Sequence, residues 1–221
     1  FFFSLLVSAA SVSANAGLSI QPVKVSQTLE AGSKFSGTIQ LSNASPYDVQ
    51  LEVKVEDFIP MAGNEGIQFV GRATGVTTIR DWVSLPDGQS FVFKQNEIRD
   101  IPYEINVPLD AEPGSHFGVI FFKASELDSV KQLKVSTQVG VLIFVTVPGN
   151  RLEQGEITGF SGPRFVQSGP VDFKIKFTNT GTVHFEPRGT IRITNLFGRE
   201  IAQVPIEGTI ILPTGVKEFS V

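Results

Sequence analysis

Val171-Asp172-Phe173-Lys174-Ile175-Lys176-Phe177-Thr178 runs into Asn179-Thr180-Gly181, and up to the asparagine it alternates apolar with polar residues. Successive side chains of an extended chain point to opposite faces, so this stretch has one dry and one wet face. It is followed by Ile191 and Ile193 set among Thr190, Arg192 and Thr194. The same pattern occurs earlier. Phe35, Gly37, Ile39 and Leu41 alternate with polar residues and lead to Asn43-Ala44-Ser45-Pro46, after which Leu51, Val53 and Val55 alternate with Glu52, Lys54 and Glu56. Two such sheets closed on their dry faces make a β-sandwich. Two copies of the pattern predict an all-β chain of two tandem sandwiches.

At 221 residues the chain has room for both. Its 19 Phe and 21 Gly, against one Trp, two Tyr and no Cys, describe cores of phenylalanine and branched aliphatics held by burial without disulfides. A net charge of -4 with no basic cluster argues against nucleic acid as a partner, because neutralising phosphate needs a concentrated basic face. Lys54, Lys174, Lys176 and Arg192 stand singly on wet strand faces, where they keep the sheets soluble.

The ends carry their own expectations. Phe1 to Val7 is a short apolar run followed by small residues ending in Ala14-Asn15-Ala16, which reads as a signal peptide, missing its first residues, over 1–16. An exported protein of the cell surface or envelope follows from it. The first sandwich is then expected over 17–148, Pro148-Gly149-Asn150 as the hinge, and a second over 151–221. Residues 216–221 begin an alternating strand and stop, so the second sandwich reads as truncated at its C-terminus, with any membrane anchor beyond Val221.

Between these ends, 18–25 read as an edge strand interrupted by Pro22. Trp82, Val83 and Leu85 read as a short strand, and residues 125–131 as a polar loop with room for one helical turn. Residues 133–147 are predicted to form a long strand, with Val139, Val141, Ile143 and Val145 on one side and Leu142 and Phe144 on the other. A strand apolar on both faces is one covered on both sides.

Residues 108–122, Pro-Leu-Asp-Ala-Glu-Pro-Gly-Ser-His-Phe-Gly-Val-Ile-Phe-Phe, together with 139–149, resemble the end of the peptidoglycan-binding domain of WxL-interacting surface proteins of Gram-positive bacteria. The opening, Ile20-Gln21-Pro22 through Asn43-Ala44-Ser45, fits the same pattern. The resemblance covers about residues 18–149 and implies an exported immunoglobulin-like sandwich that engages the cell wall or a surface partner. Residues 179–189 and 195–198 are similar to immunoglobulin-like modules found after such domains. They do not match the host-binding domain that the WxL-interacting family carries next.

Chemistry is sparse. His116 and His184 are the only side chains able to act as neutral-pH bases, and thiol chemistry is excluded. Ser115 and His116 are adjacent on a strand, so they point to opposite faces and do not form a nucleophile–base pair. His184, Glu186 and Arg188 alternate onto one face as a solvated polar stripe. Asp110 and Glu112 offer oxygens to calcium, but without the six or more ligands of a calcium loop they read as turn caps. Trp82 reads as a core plug rather than a sugar-stacking ring, and Asn43 and Asn179 as turn residues bonding backbone. If this chain binds through side chains, Trp82, Asp110, Glu112, His116, His184, Glu186 and Arg188 are the candidates. No catalytic residue, metal or cofactor is expected.

The functional expectation is a non-enzymatic surface protein contacting wall polymer or another surface protein. The alternative is a periplasmic pilus-type assembly chaperone that donates the strand 133–147 to an incomplete subunit.

Overall fold

The computed structural model describes residues 17–62, 65–73, 78–127, 136–163 and 170–220. The signal-peptide reading of 1–16 lies outside them. The described residues contain strands and one 3-10 turn, Arg80–Trp82, and no α-helix, so the chain is all-β, as its alternation predicts. None of the described elements is a helix long and apolar enough to cross a membrane.

The strands β1 (Leu18–Gln21), β3 (Lys34–Asn43), β8 (Ile98–Asn106) and β6 (Val83–Ser84) form a four-stranded sheet in that order. Facing it is a second sheet, ordered β2 (Lys24–Thr28), β10 (Ser136–Val147), β9 (Gly114–Glu126), β4 (Val49–Pro60), β5 (Ile67–Gly71), with β7 (Ser90–Phe93) also on β4. After residue 148, β11 (Gly155–Ser161), β12 (Lys174–Asn179) and β15 (Val216–Ser220) make a three-stranded sheet, and β13 (Gly189–Thr194) with β14 (Glu200–Ile206) a separate hairpin. Each described ladder joins strands on the same side of residue 148.

Pro22 marks a change of sheet rather than an interruption within one strand. β1 pairs antiparallel with β3, whereas β2 pairs parallel with β10. Pro22 has no N–H to give to either ladder, so the crossing leaves no buried donor there.

Between the first two sheets, Ile39, Leu41, Leu51, Phe122, Val141 and Ile143 are buried in one core. Full burial of such a side chain contributes about 2 kcal/mol, and this core rather than any covalent staple holds the sandwich. A second cluster lies on the outer face of the six-stranded sheet: Phe58, Phe117, Val119 and Phe144, capped by Leu212 from the chain after residue 148. The two-sided pattern of β10 has its explanation here. Val141, Ile143, Val145 and Val147 enter the first core, and Leu142 and Phe144 join the second.

Three local expectations are corrected. Residues 125 and 126 continue β9 instead of opening a loop, because they pair with Ser136 and Val49 on its two flanks. Trp82 ends the 3-10 turn before β6, where its ring is buried. The strand expected from Val171 starts at Lys174, where pairing with β15 and β11 begins.

Candidate functional site

The parts of the chain before and after residue 148 meet along a seam on the outer face of the six-stranded sheet. Its apolar centre is Phe58, stacked on Phe117 at 5.2 Å and edge-on to Phe144 at 5.8 Å, with Leu212 against them. Around it, Ser115 N donates to Thr182 O at 3.1 Å, and Lys24 Nζ meets Glu186 Oε1 at 3.0 Å. At another point Glu65 pairs with Lys217 Nζ at 2.9 Å and accepts the amide of Glu218 on β15. Lys24 holds the Glu186 carboxyl below its ordinary range, as Lys217 does for Glu65. Gly114 lies in the left-handed region (φ 135°), and a Cβ on it would come 3.0 Å from Thr182 O, so the seam closes on bare backbone there.

Of the expected solvated stripe, His184 and Glu186 are drawn into the seam, whereas Arg188 stays exposed. Glu186 bridges Lys24 and Arg188, and the His184 ring lies 5.0 Å from Phe144. Ser115 Oγ accepts the His184 amide at 2.8 Å and sits 2.7 Å from His184 Nδ1. Ser115 faces His184, 69 residues away in sequence, and not its neighbour His116. The serine is 3% exposed and its oxygen already holds an amide, so it is a seam contact and no poised nucleophile.

His116 points the other way, into the first core. Its ring lies 4.3 Å from Trp82, and Nε2–H donates to Glu112 O at 2.8 Å. Among the described residues Nδ1 has no hydrogen-bond partner, and the nearby Thr78 backbone favours the protonated ring. Asp110 and Glu112 are exposed in the turn before β9. No group of three or more metal-ligating side chains exists among the described residues. A cavity of about 490 Å³ beside the seam is lined by Ile59, Pro60, Glu112, Pro113, His116, Thr182 and Pro213 among others.

Burial pushes both histidines below the usual imidazole range; Lys24 reinforces this at His184 while Glu186 opposes it. Both rings are therefore neutral in the folded chain at pH 7, and the unfolded chain binds protons first as the pH falls through about 6.5. Stability is full above that value and declines towards pH 5. The thermal midpoint is expected to fall over this interval, with less loss in His116→Phe. Trp82, the only tryptophan, reports the local event: acid quenching of its emission should be present in the wild type and absent in His116→Phe. A pH-independent midpoint would contradict the assignment.

The other feature of functional consequence is an edge. β2 covers β10 from Leu142 to Thr146, and Leu142 N donates to Val23 O at 3.0 Å. Ser136 to Val141 carry on beyond β2, and no described strand pairs with them on that side. Amides alternate in direction along a strand, so with Leu142 aimed at β2, Gln138 and Gly140 aim their N–H and C=O at the vacant side. A Cβ on Gly140 would meet Val119 and Phe121 at 2.8 and 2.9 Å, so the Phe121 ring lies across the strand at this edge. Sequence reading found the strand. It missed Gln138 and Gly140 because which half is covered depends on where β2 stops.

Three buried polar hubs frame these elements. Asn43 Nδ2 donates to the carbonyls of Tyr47, Phe93 and Lys94 while Oδ1 accepts from Ser45 N. Asn179 repeats this: Nδ2 donates to Val183 and Ile211, and Oδ1 accepts from Gly181 N. Asp57 is fully buried and accepts from Ala73 N, Ile79 N, Arg80 N and the Thr78 hydroxyl at 2.7 to 3.0 Å. It too was missed, although its place two residues after Val55 puts it in the inward register of β4. Phe58, the next residue, alternates to the outer face, and the pairing with β5 shifts register there, skipping Val70.

No family model matches the sequence, and no curated protein does. Solved structures do resemble it in fold. The class 5 fimbriae chaperone CfaA superposes with a TM-score of 0.53 at 15% identity, over 91% of this chain and 84% of that one. A chaperone–tip adhesin complex of CFA/I fimbriae biogenesis gives 0.52 at 14% identity, over 93% and 85%. At such identities the likeness is one of fold, the immunoglobulin-like β-sandwich. The expectation of a surface protein binding wall polymer is corrected here: the chain's likeness is to fimbrial chaperones, and the apolar outer face of β10 is covered from within the chain by Leu212.

Proposed function

We propose that the chain is an extracytoplasmic assembly chaperone that holds an incomplete β-rich subunit by adding residues 136–141 to the subunit's open sheet. The observation that carries this reading is the side of β10 at Gln138 and Gly140 with which no described strand pairs, on a strand whose other flank is fixed to β9 over its whole length. Main-chain bonds along such an edge supply affinity, and alternate side chains supply specificity. Thr137 and Val139 are the side chains offered. The signal-like start and the likeness to fimbrial chaperones support it. The protein acts by contact and performs no bond-making.

Gln138→Pro tests the reading. Proline removes the amide that faces the vacant side and leaves the ladder to β9, whose donors are the flanking residues, so the fold is retained. In co-expression with the fimbrial subunits of the same genome, the wild type is expected to copurify with at least one. Gln138→Pro should reduce recovery by about tenfold or more, the worth of one to two main-chain bonds. No captured subunit, or equal capture by the variant, would overturn the proposal.

A further inference from the structure

The seam carries a proton ledger with no slack. Ser115 Oγ accepts the His184 amide, and with the neutral ring protonated at Nε2 its own hydrogen goes to Nδ1 of the same residue. When the ring takes a proton, Nδ1 becomes a donor. Oγ then receives two hydrogens, and its own must leave Nδ1 for a new acceptor at the edge of the cavity that Ser115 lines, where the residue is 3% exposed. A buried hydroxyl hydrogen without an acceptor is costly. The charged and titratable groups around the ring are Lys24 on β2 and Glu186 and Arg188 on its own segment. β9 contributes Ser115 and β10 the uncharged Phe144 ring. Lys24 repels an imidazolium and Glu186 attracts it, but Glu186 is already shared between Lys24 and Arg188. The Phe144 face offsets part of the cost.

We infer that His184 is an acid-sensitive latch between the two parts of the chain, and that its protonation releases residues after 148 from the outer face of β9 and β10. The contacts it secures lie across a single covalent connection, the segment from Val147 to Gly155. Phe144 sits beneath the ring on the same strand that bears the vacant edge, so opening withdraws support from the strand proposed to hold a subunit. That consequence rests on the proposed function; the opening itself does not. In the open state the ring meets water and titrates near 6.5, whereas burial holds it lower in the closed state. Below about pH 6.5 the open-to-closed ratio therefore rises by up to about tenfold per pH unit.

The chain has no cysteine, so Ser36→Cys and Gln203→Cys allow a spin-label pair across the seam, both positions being exposed. At pH 7.5 a single narrow distance distribution is expected, and at pH 5 a second, broader one. His184→Phe should keep the narrow distribution at both pH values, and His184→Gln, which retains an acceptor for Ser115 without titrating, serves if the phenylalanine variant does not fold. His116→Phe should open like the wild type. A distribution unchanged by pH, or acid opening that persists without His184, would overturn the latch. No subunit is present in this measurement, so its failure leaves the Gln138→Pro test standing, and the reverse holds.

Discussion

Replacing Asp57 by alanine is expected to lower the unfolding free energy by about 4 kcal/mol or more, one of the largest single-residue effects in the chain. Three amides and a hydroxyl converge on this carboxylate from residues 73–80. Without it the two fully buried donors, Ala73 N and Ile79 N, are left with nothing to bond, at about 1–3 kcal/mol apiece before relaxation, and the part-buried Thr78 and Arg80 donors add less. The same segment ends in Trp82, which covers His116. The substitution should therefore also shift Trp82 emission before global unfolding. Asp57→Asn, keeping one acceptor oxygen but turning an amide towards the donors, should fall between the two. Urea unfolding followed by Trp82 fluorescence measures this, and a loss below about 1 kcal/mol in Asp57→Ala would show that the segment is held by other means.

Asn43→Ala and Asn179→Ala are each expected to cost about 2–4 kcal/mol, and Asn→Asp at either position at least as much. The aspartate comparison is the sharper one. Each Nδ2 donates to main-chain carbonyls, those of Tyr47, Phe93 and Lys94 in one case and Val183 and Ile211 in the other. An isosteric carboxylate points a buried negative charge at those same oxygens. Both asparagines are at most 1% exposed, so water does not rescue the mismatch. Thermal unfolding of the four variants decides it: an aspartate variant more stable than its alanine counterpart would contradict the bonding scheme.

The paired asparagines were visible in the sequence because both sit at the end of an alternating strand, where a side chain able to bond backbone is needed whatever the rest of the fold does. Backbone accounting agrees at both: Asn43 N bonds Glu97 O, and Asn179 N bonds Gly215 O. The two-sided apolarity of β10 was legible for a similar reason, since period-two alternation reports how many faces of a strand are dry. What covers the second face was not legible. Ile210 and Leu212 come from a loop some 70 residues further on, and no local pattern marks them.

The two histidines divide along the same line. Their neighbours in sequence suggested that Ser115 and His116 point apart, which follows from strand geometry alone. That Ser115 then finds His184, and His116 finds Trp82, was settled by how the sheets pack. Local alternation determined that this chain is built of half-dry strands ending in bonded asparagines, because side-chain direction in an extended backbone has a fixed period. Tertiary structure alone decided the vacant edge at Gln138 and Gly140 and the latch at His184, because both depend on where a distant strand stops or a distant loop lands, and neither is encoded in any short run of residues.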